Sequence, residues 1–206
     1  MAQDERPGLY LITPAEIELS TFSDRLKAVL DAEEVACLRI ALASRDEDRL
    51  GRAADQLRDI AHARDVAIVI DDHLGLAERH GLDGVHLTTG GKGVRYARKE
   101  LGPDAIVGAF CGASRHDGMS AGEAGSDYVA FGPLSGAALG DGTLADEELF
   151  HWWSELIELP VVAEGGLDVD MVRSLAPYTD FFALGDEIWG TEDPLAALRR
   201  FTAVMG

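Results

Sequence analysis

The stretch with the most evident chemistry is Pro160 to Leu167, PVVAEGGL, an apolar run ending in Glu164 and the pair Gly165–Gly166. Paired glycines after a strand let backbone N–H groups converge on an anion, which suits phosphate. Glu164 does not suit it, because a fixed carboxylate repels the anion beside it. A second acid, Asp186 in LGDEIW, follows the last apolar run and is expected at the same end of the fold. Two carboxylates there oppose phosphate by about 1 to 4 kcal/mol per charge pair unless they are protonated or paired. The pattern therefore predicts a phosphate site given up or converted to a neutral or cationic ligand. Asp186 also has a plainer use, as the cap of a helical turn.

Asp71, Asp72 and His73 gather two carboxylates and an imidazole after another apolar run. Asp72 is the candidate metal ligand, although magnesium needs further oxygen donors or substrate phosphates. Acidic residues at a helix start are the plainer explanation. Arg39 is a lone cation inside an apolar segment, and His86 in GVHL is expected to pack or hydrogen bond. Arg115 and His116 either face a cavity or begin a helix. Of the two cysteines, Cys37 and Cys111, only Cys111 lies past a strand end where a reactive thiol could sit. Two buried, reduced thiols in a cytoplasmic protein are the simpler expectation.

These residues need a scaffold. The 206 residues suffice for one sizeable core, and a single domain over 1–206 is expected. Thirty-seven acidic residues against eighteen basic ones give a net charge of −19, with no Lys/Arg-rich run. That argues against nucleic acid or an anionic membrane as partner. The opening MAQDERPG has neither the basic nor the apolar part of a secretory signal. No apolar run has membrane-spanning length. A small molecule is the expected partner, and a homo-oligomer is left open.

Short strands are expected at 8–12, 35–40, 66–70, 83–87, 105–109, 127–131, 160–163 and 180–184. Their Val, Ile and Phe content, often without alternation, predicts strands covered on both faces. Helical stripes lie between them, among them Phe22, Leu26, Val29 and Leu30, and Leu50, Ala53, Leu57, Ile60 and Ala61. The strongest is Leu149, Phe150, Trp153, Leu156 and Ile157. Asp168 and Asp193 read as N-caps, the latter followed by Pro194 at the first helical position. Eight such strand–helix pairs predict an α/β fold, a (β/α)8 TIM barrel. The glycine-rich 132–142 segment, GPLSGAALGDG, reads as a mobile loop on the ligand side.

Six landmarks in order carry a resemblance: LYLIT, IDDHLGLA, DGVHL, LGPDAIVGA, AGSDYVAFGPL and PVVAEGGL. Together they resemble the thiamine-phosphate synthase superfamily, which includes the thiazole tautomerases. The resemblance implies a transferase of thiamine biosynthesis that joins hydroxymethylpyrimidine pyrophosphate to thiazole phosphate with Mg2+. It implies substrate-lining roles for Tyr10, Arg39, Asp71, Cys111, Glu164, Gly165, Gly166 and Asp186, and a metal role for Asp72.

Several positions depart from the pattern that the resemblance brings. The Gln-x-Arg-x-Lys run expected on strand two reads Arg39, Ala41 and Ala43, and the second metal carboxylate falls at or near Gly91. The clamp loop after strand six contains no lysine, and Pro133 stands where the tautomerases have histidine. Three functions follow: the synthase reaction, a divergent paralogue that binds a neutral or cationic small heterocycle, or a non-catalytic interaction barrel.

Overall fold

The computed structural model describes residues 6–206; residues 1–5, within the stretch read as lacking a signal, lie outside the described residues. Eight strands form: β1 (Gly8–Ile12), β2 (Cys37–Ile40), β3 (Ala67–Asp71), β4 (Gly84–Leu87), β5 (Ile106–Phe110), β6 (Tyr128–Phe131), β7 (Val161–Glu164) and β8 (Phe181–Leu184). Each pairs in parallel with the next, and β8 pairs with β1 through Gly8↔Phe181 and Tyr10↔Ala183, closing the barrel. The helices are α1 (Leu19–Ala32), α2 (Glu47–His62), α3 (Leu74–Arg79), α4 (Val94–Leu101), α5 (Arg115–Ala124), α6 (Glu147–Leu156), α7 (Val169–Leu175), α8 (Asp186–Trp189) and α9 (Pro194–Thr202). The expected (β/α)8 order is therefore the observed one.

Strand alternation divides the core in two. Leu9, Leu11, Leu38, Ile40, Ile68 and Ile70 face outward to the buried stripes of the helices. Tyr10, Cys37, Val69, Phe110, Tyr128, Ala130, Val162 and Ala183 point inward and fill the lumen. Gly108 also points inward, and a Cβ there would lie 2.0 Å from the Tyr128 ring. The missing side chain is what admits that ring.

The predicted caps form as read. Asp168 accepts from the Met171 N–H at 2.8 Å and Asp193 from the Ala196 N–H at 2.9 Å. One stripe needs correcting: Leu156 is 63 % exposed. Trp153 already fills the inner face of α6, and the backbone turns extended at Ile157, so Leu156 is left on the solvent side.

Three aspartates stitch the barrel floor. Asp83, Asp127 and Asp180 stand just before β4, β6 and β8. Their Oδ2 atoms accept the N–H groups of Ile68, Val107 and Val161 at 2.7, 2.7 and 2.8 Å. These N–H groups belong to the first or second residue of the preceding strand, where a buried donor needs an acceptor. The opposite end, where the strands finish, is left to the candidate site.

Candidate functional site

β2 and β7 each send a charged side chain inward at the strand ends. Arg39 and Glu164 are 5 % and 1 % exposed, and the Arg39 Nη1 lies 2.7 Å from Glu164 Oε2. Asp71, at the end of β3, has Oδ1 3.3 Å from Arg39 Nε. One guanidinium is thus shared by two carboxylates. Burial alone would favour neutral arginine, but Glu164 and then Asp71 outweigh it and hold Arg39 charged. Asp71 goes the other way: burial pushes its carboxyl up to about 7, Arg39 pulls it down, and Glu164 and Asp72 add to the rise. Glu164 Oε1 and Asp71 Oδ1 remain buried acceptors without a hydrogen-bond partner among the described residues.

The guanidinium carbon of Arg39 lies 5.9 Å from the centroid of the Tyr10 ring. The Tyr10 and Tyr128 hydroxyls are 2.7 Å apart, and the Tyr128 hydroxyl is 2.9 Å from His86 Nδ1. Burial raises both phenols well above their ordinary range, and burial followed by Arg39 lowers the His86 imidazole well below its own. Three neutral polar rings therefore close the lumen beneath the charged cluster. His86 serves as the structural hydrogen-bonding residue its context suggested.

The glycine pair carries the least expected geometry. Gly165 and Gly166 have φ of 89° and 71°, in the left-handed region. The Gly166 and Leu167 N–H groups donate to Glu187 Oε1 at 3.0 and 3.3 Å, and the Gly185 N–H donates to Glu187 Oε2 at 2.8 Å. Glu187 was absent from the expected site. Asp186, which was included, is exposed in the first turn of α8 and does not cap it. The acidic residue of LGDEIW that reaches the glycines is the second one, because the turn at Gly185 directs Asp186 outward.

The glycine pair is covered from the other side as well. The segment expected to be a mobile loop is fastened by Leu134 N–H to Gly165 O at 2.7 Å and by Ser135 Oγ to Gly166 O at 2.7 Å. A Cβ on Gly166 would lie 2.2 Å from Ser135 Oγ, and one on Gly165 would lie 2.8 Å from Leu139 Cδ2. Leu139 packs against the lumen cluster. The absence of side chains here makes room for the protein's own loop.

The remaining candidates do other work. Cys111 is 4 % exposed and its thiol is pushed up to about 12 by burial, in line with the simpler expectation of a buried, reduced thiol. Its Sγ points to the Ala109 carbonyl at 3.6 Å, within the core rather than toward a ligand. Arg115 pairs with Glu148 at 3.0 Å and stacks on Trp152 at 4.8 Å, as a polar helix start does.

Asp72 turns the chain at φ 55°, and its two carboxylate oxygens accept from the backbone and hydroxyl of Thr88. The segment that follows, Thr88 to Gly93, offers glycines and Lys92 but no second carboxylate. Among the described residues no group of three His, Cys, Asp or Glu is disposed to hold a metal. This donor set does not fit a magnesium ion held by protein side chains.

The model of the thiamine monophosphate synthase family matches residues 9–184. A thiamine-phosphate synthase of Rhodospirillum centenum is 42 % identical over 96 % of this chain and 97 % of its own length. One from Erythrobacter litoralis is 39 % identical over 98 % and 97 %. The solved structure of a thiamine phosphate pyrophosphorylase from Pyrococcus furiosus shares the fold. Its TM-score is 0.83 at 22 % identity, covering 96 % of this chain and 95 % of that one. Closed barrel, ordered landmarks and near full-length identity agree: the chain belongs to the thiamine monophosphate synthase family.

Proposed function

We propose that this family member binds a small heterocycle without a phosphate group, neutral or cationic and carrying N–H donors, at the barrel mouth. The observation that carries this reading is the shared guanidinium. Arg39, the one buried arginine among the described residues, is engaged by Glu164 and Asp71, which leaves an excess of carboxylate. Glu164 Oε1 has no donor, and Asp71 Oδ1 has only its 3.3 Å ion-pair contact with Arg39 Nε, which makes no hydrogen bond; buried polar groups without partners are costly. An amino-substituted ring satisfies both, whereas a pyrophosphate meets a guanidinium already engaged by two carboxylates. Ala41 and Ala43, where the family resemblance expects Arg and Lys, support the same reading. We place the protein in the cytoplasm as one domain, in keeping with its two free, buried cysteines. No helix of the described residues is long and apolar enough to cross a membrane.

A second reading is the synthase transfer itself, favoured by the 42 % identity to a thiamine-phosphate synthase along nearly the whole chain. One experiment separates the two. The protein is incubated with hydroxymethylpyrimidine pyrophosphate, thiazole phosphate and magnesium, and pyrophosphate release is followed. Thermal unfolding is recorded in parallel with the phosphate-free pyrimidine or thiazole. Absence of turnover with stabilisation by a phosphate-free ring supports the first reading. Pyrophosphate released at an enzyme-dependent rate replaces it with the second.

A further inference from the structure

The N–H groups around the glycine pair already hold an anion, and the chain supplies it. Gly166 and Leu167 reach Glu187 across 21 and 20 positions of sequence, so this is a contact between two strand ends and not a local turn. Left-handed backbone at Gly165 and Gly166 arranges these N–H groups as an anion-binding concavity. The Gly185 N–H closes it on the second carboxylate oxygen.

We propose that Glu187 is a specificity-determining residue: its carboxylate fills the anion cup, so the site rejects ligands that end in phosphate. The identity of the accepted ring rests on the function proposed above; the role of Glu187 does not. A phosphate entering the cup must displace three charge-assisted hydrogen bonds held by a tethered group, whose effective concentration is high. The displaced carboxylate then stays close to the incoming anion and repels it, with Asp186 adjacent. Ser135, bonded to the Gly166 carbonyl, covers the same turn from outside.

Inorganic phosphate is the probe, read by the amide resonances of Gly166, Leu167 and Gly185 in wild type, Glu187→Ala and Glu187→Gln. In wild type these resonances stay fixed during the titration. In Glu187→Ala they move together and saturate, with affinity at least tenfold above wild type, equivalent to about 1.4 kcal/mol. Glu187→Gln, which keeps an acceptor but no charge, falls between. The proposal is overturned if wild type responds as Glu187→Ala does. It is equally overturned if folded Glu187→Ala shows no response to phosphate. Should Glu187→Ala fail to fold, Glu187→Gln decides by the same three amides. A phosphate-free ring titrated into wild type is scored separately, so failure of that ligand has no bearing on the role of Glu187.

Discussion

Carboxylates at the two ends of this barrel use the same chemistry to different ends. On the floor, Asp83, Asp127 and Asp180 repeat one device: each precedes an even-numbered strand and accepts an N–H from the first or second residue of the strand before it. Basic side chains at the surface finish the arrangement, with His62 2.9 Å from Asp83 and Arg98 2.6 Å from Asp127. At the mouth, Asp71, Glu164 and Glu187 follow no repeat. Glu164 reaches Arg39 125 positions away, Glu187 binds three N–H groups from two loops, and their surroundings are buried or half-buried. The floor carboxylates close backbone valences that the fold itself creates. The mouth carboxylates engage the one buried arginine of the described residues and the N–H groups around the glycine pair.

Breaking the mouth pair has the largest expected effect. Arg39→Met leaves Glu164 buried without its countercharge and should cost about 3 to 5 kcal/mol in urea unfolding. Pairing it with Glu164→Leu should restore most of that loss. If the single variant unfolds like wild type, the pair has no structural weight and the contrast between the ends collapses. On the floor, Asp180→Ala strands the Val161 N–H and should cost about 1 to 3 kcal/mol. That corresponds to a fall in Tm of about 3 to 8 °C.

Asp71 sharpens the comparison through pH. Its folded carboxyl is raised to about 7, above the ordinary value near 3.8 that the unfolded chain has. Between these values the folded state holds the extra proton. Stability is therefore greatest at the acid end of that window, falls as pH rises from about 4 to about 7, and levels off above. A wild-type loss of about 1 to 2 kcal/mol across the window, absent in Asp71→Asn, is expected from thermal melts followed by circular dichroism. The smallest effect belongs to Asp72→Asn. Asparagine tolerates the left-handed backbone and can still accept from Thr88, so about 0.5 kcal/mol or less is expected. A magnesium-dependent rise in Tm that wild type shows and this variant loses would make Asp72 a ligand after all.

The sequence was most legible where residue type and local period decide the structure. The eight expected strands overlap the observed ones to within two residues at each end, because continuous apolar runs leave little choice in a doubly covered sheet. Asp168 and Asp193 were readable as caps for an equally local reason. The site was legible by region but not by partner. Glu164 was legible as a carboxylate beside the glycines, but not its partner Arg39, which it reaches across the lumen from 125 positions away. Inward parity at the ends of β2 and β7 was the signal that could have joined them. Glu187 was hidden by its neighbour, since a turn of one glycine decides which of two adjacent acids curls back. Cys111 was legible as a buried thiol because its surroundings in sequence are apolar.

The tyrosine–tyrosine–histidine layer has a bearing on how such a barrel changes over time. Tyr128 takes the volume that Gly108 vacates, and its hydroxyl links Tyr10 to His86. That neutral septum separates the charged mouth from the stitched floor. Substitutions above it can redraw which ligands are admitted while the strand pairing below stays closed. The strand pairing of the barrel and the charges at its mouth are thus separable, so a change in one need not disturb the other.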